Sequence, residues 1–124
     1  MRSFINFLTT YWLAVTAIIL VSISILSLTP LQELPPAPGS DKLHHLIAYA
    51  ALTIPLVLKK PRYWGLIICA FLLYSGLIEI IQPYVNRYGE WADMLANSLG
   101  IFCGLLLAEL LIYAFPVKLN QTDQ

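Results

Sequence analysis

Four apolar stretches, at about residues 4–28, 43–58, 63–82 and 92–115, make up most of this chain and hold few charges. A run of roughly 20 such residues is what crosses a hydrocarbon core, and helices satisfy their own backbone there. Composition agrees: 59% of the 124 residues are hydrophobic, 11% are charged and mean hydropathy is +0.75, too apolar for a soluble domain of this size. The sequence therefore predicts an all-α protein, an integral membrane bundle of about four transmembrane helices in a single domain over residues 1–124.

Charge excludes one class of partner. Seven basic and seven acidic residues balance, and no basic block suited to nucleic acid is present. Cys69 and Cys103 lie within apolar stretches, with no CxxC or His spacing around them, so they are expected to be small buried hydrophobes.

The first stretch is too long for a signal peptide core and lacks a small-x-small cleavage site, so it is expected to be an uncleaved anchor. Residues 29–40 contain Pro30, Pro35, Pro36, Pro38 and Gly39 and form a Pro-rich extracytoplasmic linker. Ser40 or Asp41 can cap the short second span, which carries Pro55 and stops at Lys59-Lys60-Pro61-Arg62. The third opens with Tyr63 and Trp64 and ends at Pro83; Tyr84, Tyr88 and Trp91 form an interfacial girdle before the fourth.

Arg2, Lys59, Lys60, Arg62 and Lys118 fall on one side of such a bundle, whereas the other has Lys42 and Arg87 against Glu33, Asp41, Glu90 and Asp93. The basic bias places both termini in the cytoplasm of a bacterial cell, with a multi-pass chain in its inner membrane. Glu109, near the cytoplasmic end, is expected to pair with the Lys59/Lys60/Arg62 loop.

The remaining polar residues then gather on the outer side. Asp41, His45 and Tyr49 follow i, i+4 and i+8 on one helical stripe, with Lys42 beside them and His44 about 100° away. A carboxylate one turn before a histidine can orient the imidazole for acid–base chemistry; equally, Asp41 can cap the helix while His45 bonds a neighbouring span. Glu79 and Gln82 are i and i+3 near the end of the third span, with Ser75 and Gly76 beneath. A glutamate there needs a partner or a proton. Asp93 and Asn97 begin a stripe that continues through Gly100, Gly104 and Ala108, small residues that let another helix approach. Arg87 either neutralises Glu79 or Asp93 or grips an anion such as a phosphate or carboxylate.

In order and spacing, Asp41-Lys42-x-x-His45-x-x-x-Tyr49, Glu79-x-x-Gln82, Arg87 and Asp93-x-x-x-Asn97-x-x-Gly100-x-x-x-Gly104 resemble the VanZ-like family over residues 41–110. That family usually has a Pro-Gly-type turn before the arginine, where this chain has Tyr84-Val85-Asn86. The resemblance implies a small membrane protein, with no established reaction, related to a factor that lowers sensitivity to teicoplanin, a lipoglycopeptide that acts on the outer membrane face.

The leading reading is an outward polar site of Asp41, Lys42, His45, Tyr49, Glu79, Gln82, Arg87, Asp93 and Asn97. It would recognise a lipid headgroup, cell-wall precursor or glycopeptide. A membrane-embedded hydrolase or transferase is the alternative, with His45 or Glu79 moving a proton and Arg87 stabilising an anion. A structural subunit that offers its small-residue face to a complex is a third. Membrane lipids surround the chain in each case, and a homo-oligomer is compatible with all of them. No catalytic residue and no cofactor is assigned. Helix spacing alone does not bring Asp41, His45, Glu79 and Asp93 together, so no metal is assigned either.

Overall fold

The computed structural model describes residues 1–34 and 38–115. Pro35 and Pro36 of the linker, and Lys118 of the orientation argument, lie outside them. Five α-helices are described: α1 (Arg2–Thr10), α2 (Trp12–Leu28), α3 (Asp41–Lys59), α4 (Trp64–Ile81) and α5 (Trp91–Ala114). Short 3-10 turns occupy Leu31–Glu33 and Gln82–Val85. The described residues contain no strand, so the all-α expectation holds.

α3 and α5 pack against each other most extensively, and the reason is the glycine stripe. A Cβ on Gly100 would run into the backbone carbonyl of Leu46, and one on Gly104 into that of Ala50 and the side chain of Thr53. Without side chains at these two places the helix backbones touch. Gly100→Leu and Gly104→Leu are each expected to lower thermal stability in detergent by roughly 1–3 kcal/mol or more through overpacking. Unchanged melting of both variants would refute that account of the interface.

Around this pair lie two apolar clusters. Tyr49, Leu52 and Leu56 of α3 pack with Ile23, Phe71 and Ile101 from α2, α4 and α5. At the opposite end from the start of α3, Ile5 and Leu8 of α1 pack on Val57, Leu58 and Ala108.

That second cluster corrects the expectation of one continuous first span. The chain leaves helical geometry at Tyr11 (φ −105°, ψ 23°) and α1 turns 80° away from α2. A straight helix over residues 4–28 would be about 37 Å long, beyond the roughly 30 Å of a hydrocarbon core. Bending lets Ile5 and Leu8 bury against the ends of α3 and α5 instead.

By length and composition, two or three of the described helices are candidate spans. α4 with its 3-10 extension and α5 are long and apolar enough to cross a membrane, and the bent α1–α2 pair is a third candidate. α3 is not among them. It carries Asp41, Lys42, His44, His45 and Lys59, and it sits at the centre of the packing with Tyr49, Leu52, Leu56, Val57 and Leu58 buried. Most of its apolar residues meet other helices, Leu43 and Ile47 being exposed, whereas Leu66, Leu73, Ile80, Phe102 and Leu110 of α4 and α5 lie on the outside, as lipid-solvated helices require. Cys69 and Cys103 are on that outer surface too, contrary to their expected burial. Glu109 meets Lys60 at 2.6 Å, as expected.

Candidate functional site

Antiparallel packing brings the C-terminal ends of α2 and α4 beside the N-terminal ends of α3 and α5, and most of the anticipated polar residues gather there. Ser40 rather than Asp41 caps α3, its hydroxyl accepting from Leu43 N–H. This leaves the Asp41 carboxylate free, and it faces two groups: the Arg87 guanidinium at 3.5 Å and His45 Nε2 at 3.8 Å.

Arg87 does not pair with Glu79 or Asp93. Its Nη1 donates to the carbonyls of Leu26 (2.7 Å) and Thr29 (3.4 Å), and its Nη2 to Asp41. The physical demand comes from α2. A helix leaves its last carbonyls without partners, and α2 has no basic residue in its last turn. Arg87, 7% exposed, supplies the missing donors from across the bundle, and Gln82 Nε2 does the same for the carbonyl of Ser27 at 3.1 Å. The guanidinium is thereby engaged in holding α2 to the turn before α5, which counts against the anion-stabilising role that the enzyme reading gave it.

That turn is built by Asn86. It adopts the left-handed conformation (φ 57°), tolerated by asparagine better than by most residues, and Arg87 N–H closes back on the carbonyl of Gln82 at 3.1 Å. Asn86 thus does the work of the glycine in a Pro-Gly-type turn. Gly89 allows the next crossing, since a Cβ there would meet the carbonyl of Glu79.

His45 is oriented by α5 rather than by Asp41. Asn97, wholly buried, donates through Nδ2 to Ser75 Oγ at 2.8 Å, so its Oδ1 is left to accept from His45 Nδ1–H at 3.0 Å. One asparagine therefore ties α3, α4 and α5 and sets the imidazole tautomer, with Nε2 directed toward Asp41. His44, on the other face as expected, meets the carbonyl of Pro38.

Lys42 bridges Glu90 at 2.8 Å and Asp93 at 3.4 Å, and these two carboxylates raise its pKa above the ordinary lysine value, the hydrogen bond to Glu90 contributing most. Glu79 accepts from the backbone N–H of Glu90 at 3.2 Å. The sequence reading missed Glu90 as a member of the cluster, although it stands three residues before Asp93. It also missed the carbonyls of α2, which no side-chain motif can reveal.

Four carboxylates, Asp41, Glu79, Glu90 and Asp93, stand against two cations, Lys42 and Arg87, an excess of two negative charges with His45 neutral. Several enclosed atoms also have no hydrogen-bond partner among the described residues: Tyr49 Oη, Glu79 Oε1, Gln82 Oε1 and Asp93 Oδ1. Buried polar atoms are nearly always satisfied in folded proteins, so four orphans at one end of a bundle mark it out.

Helices apolar enough to cross a bilayer, packed with a polar cluster at one end, define the class: an all-α membrane protein. The VanZ/LLP1 family model matches residues 3–112, nearly the whole chain, and the protein belongs to that family. No curated protein and no solved structure matches it.

Proposed function

We propose that this VanZ-family protein is a multi-pass protein of the bacterial inner membrane that presents its polar end outward and there recognises the polar part of an envelope molecule. Candidates are a lipid headgroup, a cell-wall precursor or a glycopeptide. The observation that carries the reading is the set of unpaired acceptors, Glu79 Oε1, Gln82 Oε1 and Asp93 Oδ1, at the same end of the bundle as a buried histidine whose Nδ1 is held by Asn97. Acceptors without donors suit a ligand bearing hydroxyl or ammonium groups, which would recover the cost of their desolvation. A closed structural network would instead pair them within the protein. The excess negative charge disfavours a bare phosphate at the same place.

Native mass spectrometry of the full chain in detergent tests this, with teicoplanin and a lipid-linked cell-wall precursor as probes. Retention of one probe by the wild type, lost in Glu79→Gln, is the expected result. Equal retention by both proteins, or by neither, would refute it.

The outward orientation rests on the basic residues and has its own test. Gly39 (φ 102°), Lys60 (φ 47°) and Asn86 (φ 57°) hold left-handed backbone, so single cysteines belong at the exposed Gln32, Tyr88 and Arg62 instead, in a background without Cys69 and Cys103. In intact cells a membrane-impermeant thiol reagent is expected to label positions 32 and 88 and spare position 62. The reverse pattern would invert the topology.

A further inference from the structure

Asp41, His45 and Asp93 meet at the junction of α3 and α5, and one ligand atom from each can be chosen so that all lie within 4.8 Å of one another. Asp41 and His45 stand one turn apart on α3, and Asp93 comes from the first turn of α5. Because His45 Nδ1 donates to Asn97, its Nε2 presents a lone pair when the ring is neutral, 3.8 Å from Asp41 Oδ2. A lone pair and two carboxylates then face one another, and none of the three donates a hydrogen bond to another. A ring nitrogen fixed by a hydrogen bond from the opposite nitrogen is also how metal-binding histidines are held.

Asp93 supplies an independent observation. It is 2% exposed and its Oδ1 is enclosed without accepting any hydrogen bond. Lys42 approaches it to 3.4 Å, but the hydrogen bond of that ammonium goes to Glu90 at 2.8 Å. A carboxylate taken out of water with so little in return needs a cation closer than this lysine.

We propose that Asp41, His45 and Asp93 bind a divalent first-row transition-metal ion, such as Zn²⁺, through His45 Nε2 and one oxygen of each aspartate, with a fourth position open to the outside. An imidazole with two carboxylates is a donor set for zinc, manganese or iron rather than for calcium or magnesium, and no cysteine joins it. The geometry is within reach: tetrahedral zinc with ligand bonds of about 2.0–2.1 Å separates its ligands by about 3.4 Å, so the 3.8 Å gap between Asp41 and His45 closes by a small side-chain rotation. The ion would cancel the two excess negative charges. It would also offer an open position to an oxygen of the envelope molecule, and only that last point rests on the headgroup reading.

The test uses the full chain in detergent, stripped with a chelator and titrated with Zn²⁺ against a chromophoric competitor, with bound metal counted by elemental analysis after desalting. The expected result is one ion per chain, bound at least about tenfold more weakly by His45→Gln and Asp93→Asn. Lys42→Met is expected to bind more tightly, because it removes an ammonium that competes for Asp93. Absence of a bound ion in the wild type, or affinity unchanged in Asp93→Asn, would overturn the proposal, as would weaker binding by Lys42→Met. Should Asp93→Asn fail to fold, Asp41→Asn serves in its place, since that side chain is half exposed and tolerant of change. One ion per chain in the wild type, with no probe retained in native mass spectrometry, supports the metal site and removes the headgroup reading. A retained probe with no bound ion does the opposite.

Discussion

Arg87→Met is expected to lower the amount of folded protein in the membrane sharply, because one side chain satisfies three acceptors on two other segments. Its loss leaves the carbonyls of Leu26 and Thr29 without their donor and removes the cation beside Asp41. Hydrogen bonds from a charged donor contribute about 1.5–3 kcal/mol each, so the combined loss is on the order of 3 kcal/mol or more, a large share of a small bundle's stability. Arg87→Lys is expected to fail nearly as badly: an ammonium carries the charge but lacks the planar fork that spans Leu26 and Asp41 together. Asp41→Asn separates the contributions. The Asp41 side chain is 46% exposed, and an exposed partner of an ion pair contributes about 0–1 kcal/mol. The single Asp41→Asn variant should therefore melt close to the wild type, and Arg87→Met with Asp41→Asn should melt close to Arg87→Met alone. Recovery of stability in the double variant would show instead that the Asp41–Arg87 charge pair, rather than capping of α2, is what Arg87 supplies.

That capping role explains why part of the cluster was legible in the sequence and part was not. Membrane solubility, the helical class and the grouping of polar residues at one end follow from hydropathy and from charges placed beside apolar runs, which are local features. Gly100 and Gly104 were legible because small residues at helical spacing permit only a few uses. Arg87 was legible as an important cation but not in its partners, because its main acceptors are backbone carbonyls about sixty residues away that no side chain advertises. Asp41 and His45 show the same limit in reverse. Their one-turn spacing suggested a carboxylate orienting an imidazole, yet Asn97, from another helix, takes that position at 3.0 Å against 3.8 Å for Asp41. The bend at Tyr11 escaped a hydropathy reading because residues 4–28 are apolar on both sides of it. What bends the chain is burial of Ile5 and Leu8 against Val57, Leu58 and Ala108, a tertiary preference.

Asp93→Asn is expected to leave folding intact while abolishing the probe retention proposed for the polar end, and the sign of its stability effect carries the information. Asp93 is buried with its Oδ1 accepting no hydrogen bond, and its nearest cation, Lys42, keeps Glu90 as a closer partner after the change. Replacing a poorly compensated buried charge by an amide of the same shape relieves desolvation, so thermal stability should be unchanged or higher. If Asp93 were half of a structural ion pair, the same substitution would strand Lys42 and lower both stability and abundance. Asn97→Leu supplies the contrast. That change leaves His45 Nδ1–H and Ser75 Oγ buried without their partner, each worth about 1–3 kcal/mol, so it should destabilise strongly whatever the site does. Melting temperature, membrane abundance and probe retention measured on the same preparations separate the cases. Asp93→Asn at full abundance with retention lost, beside Asn97→Leu with both lost, places Asp93 in the site and Asn97 in its frame. Retention unimpaired in Asp93→Asn at normal abundance would remove Asp93 from any binding role.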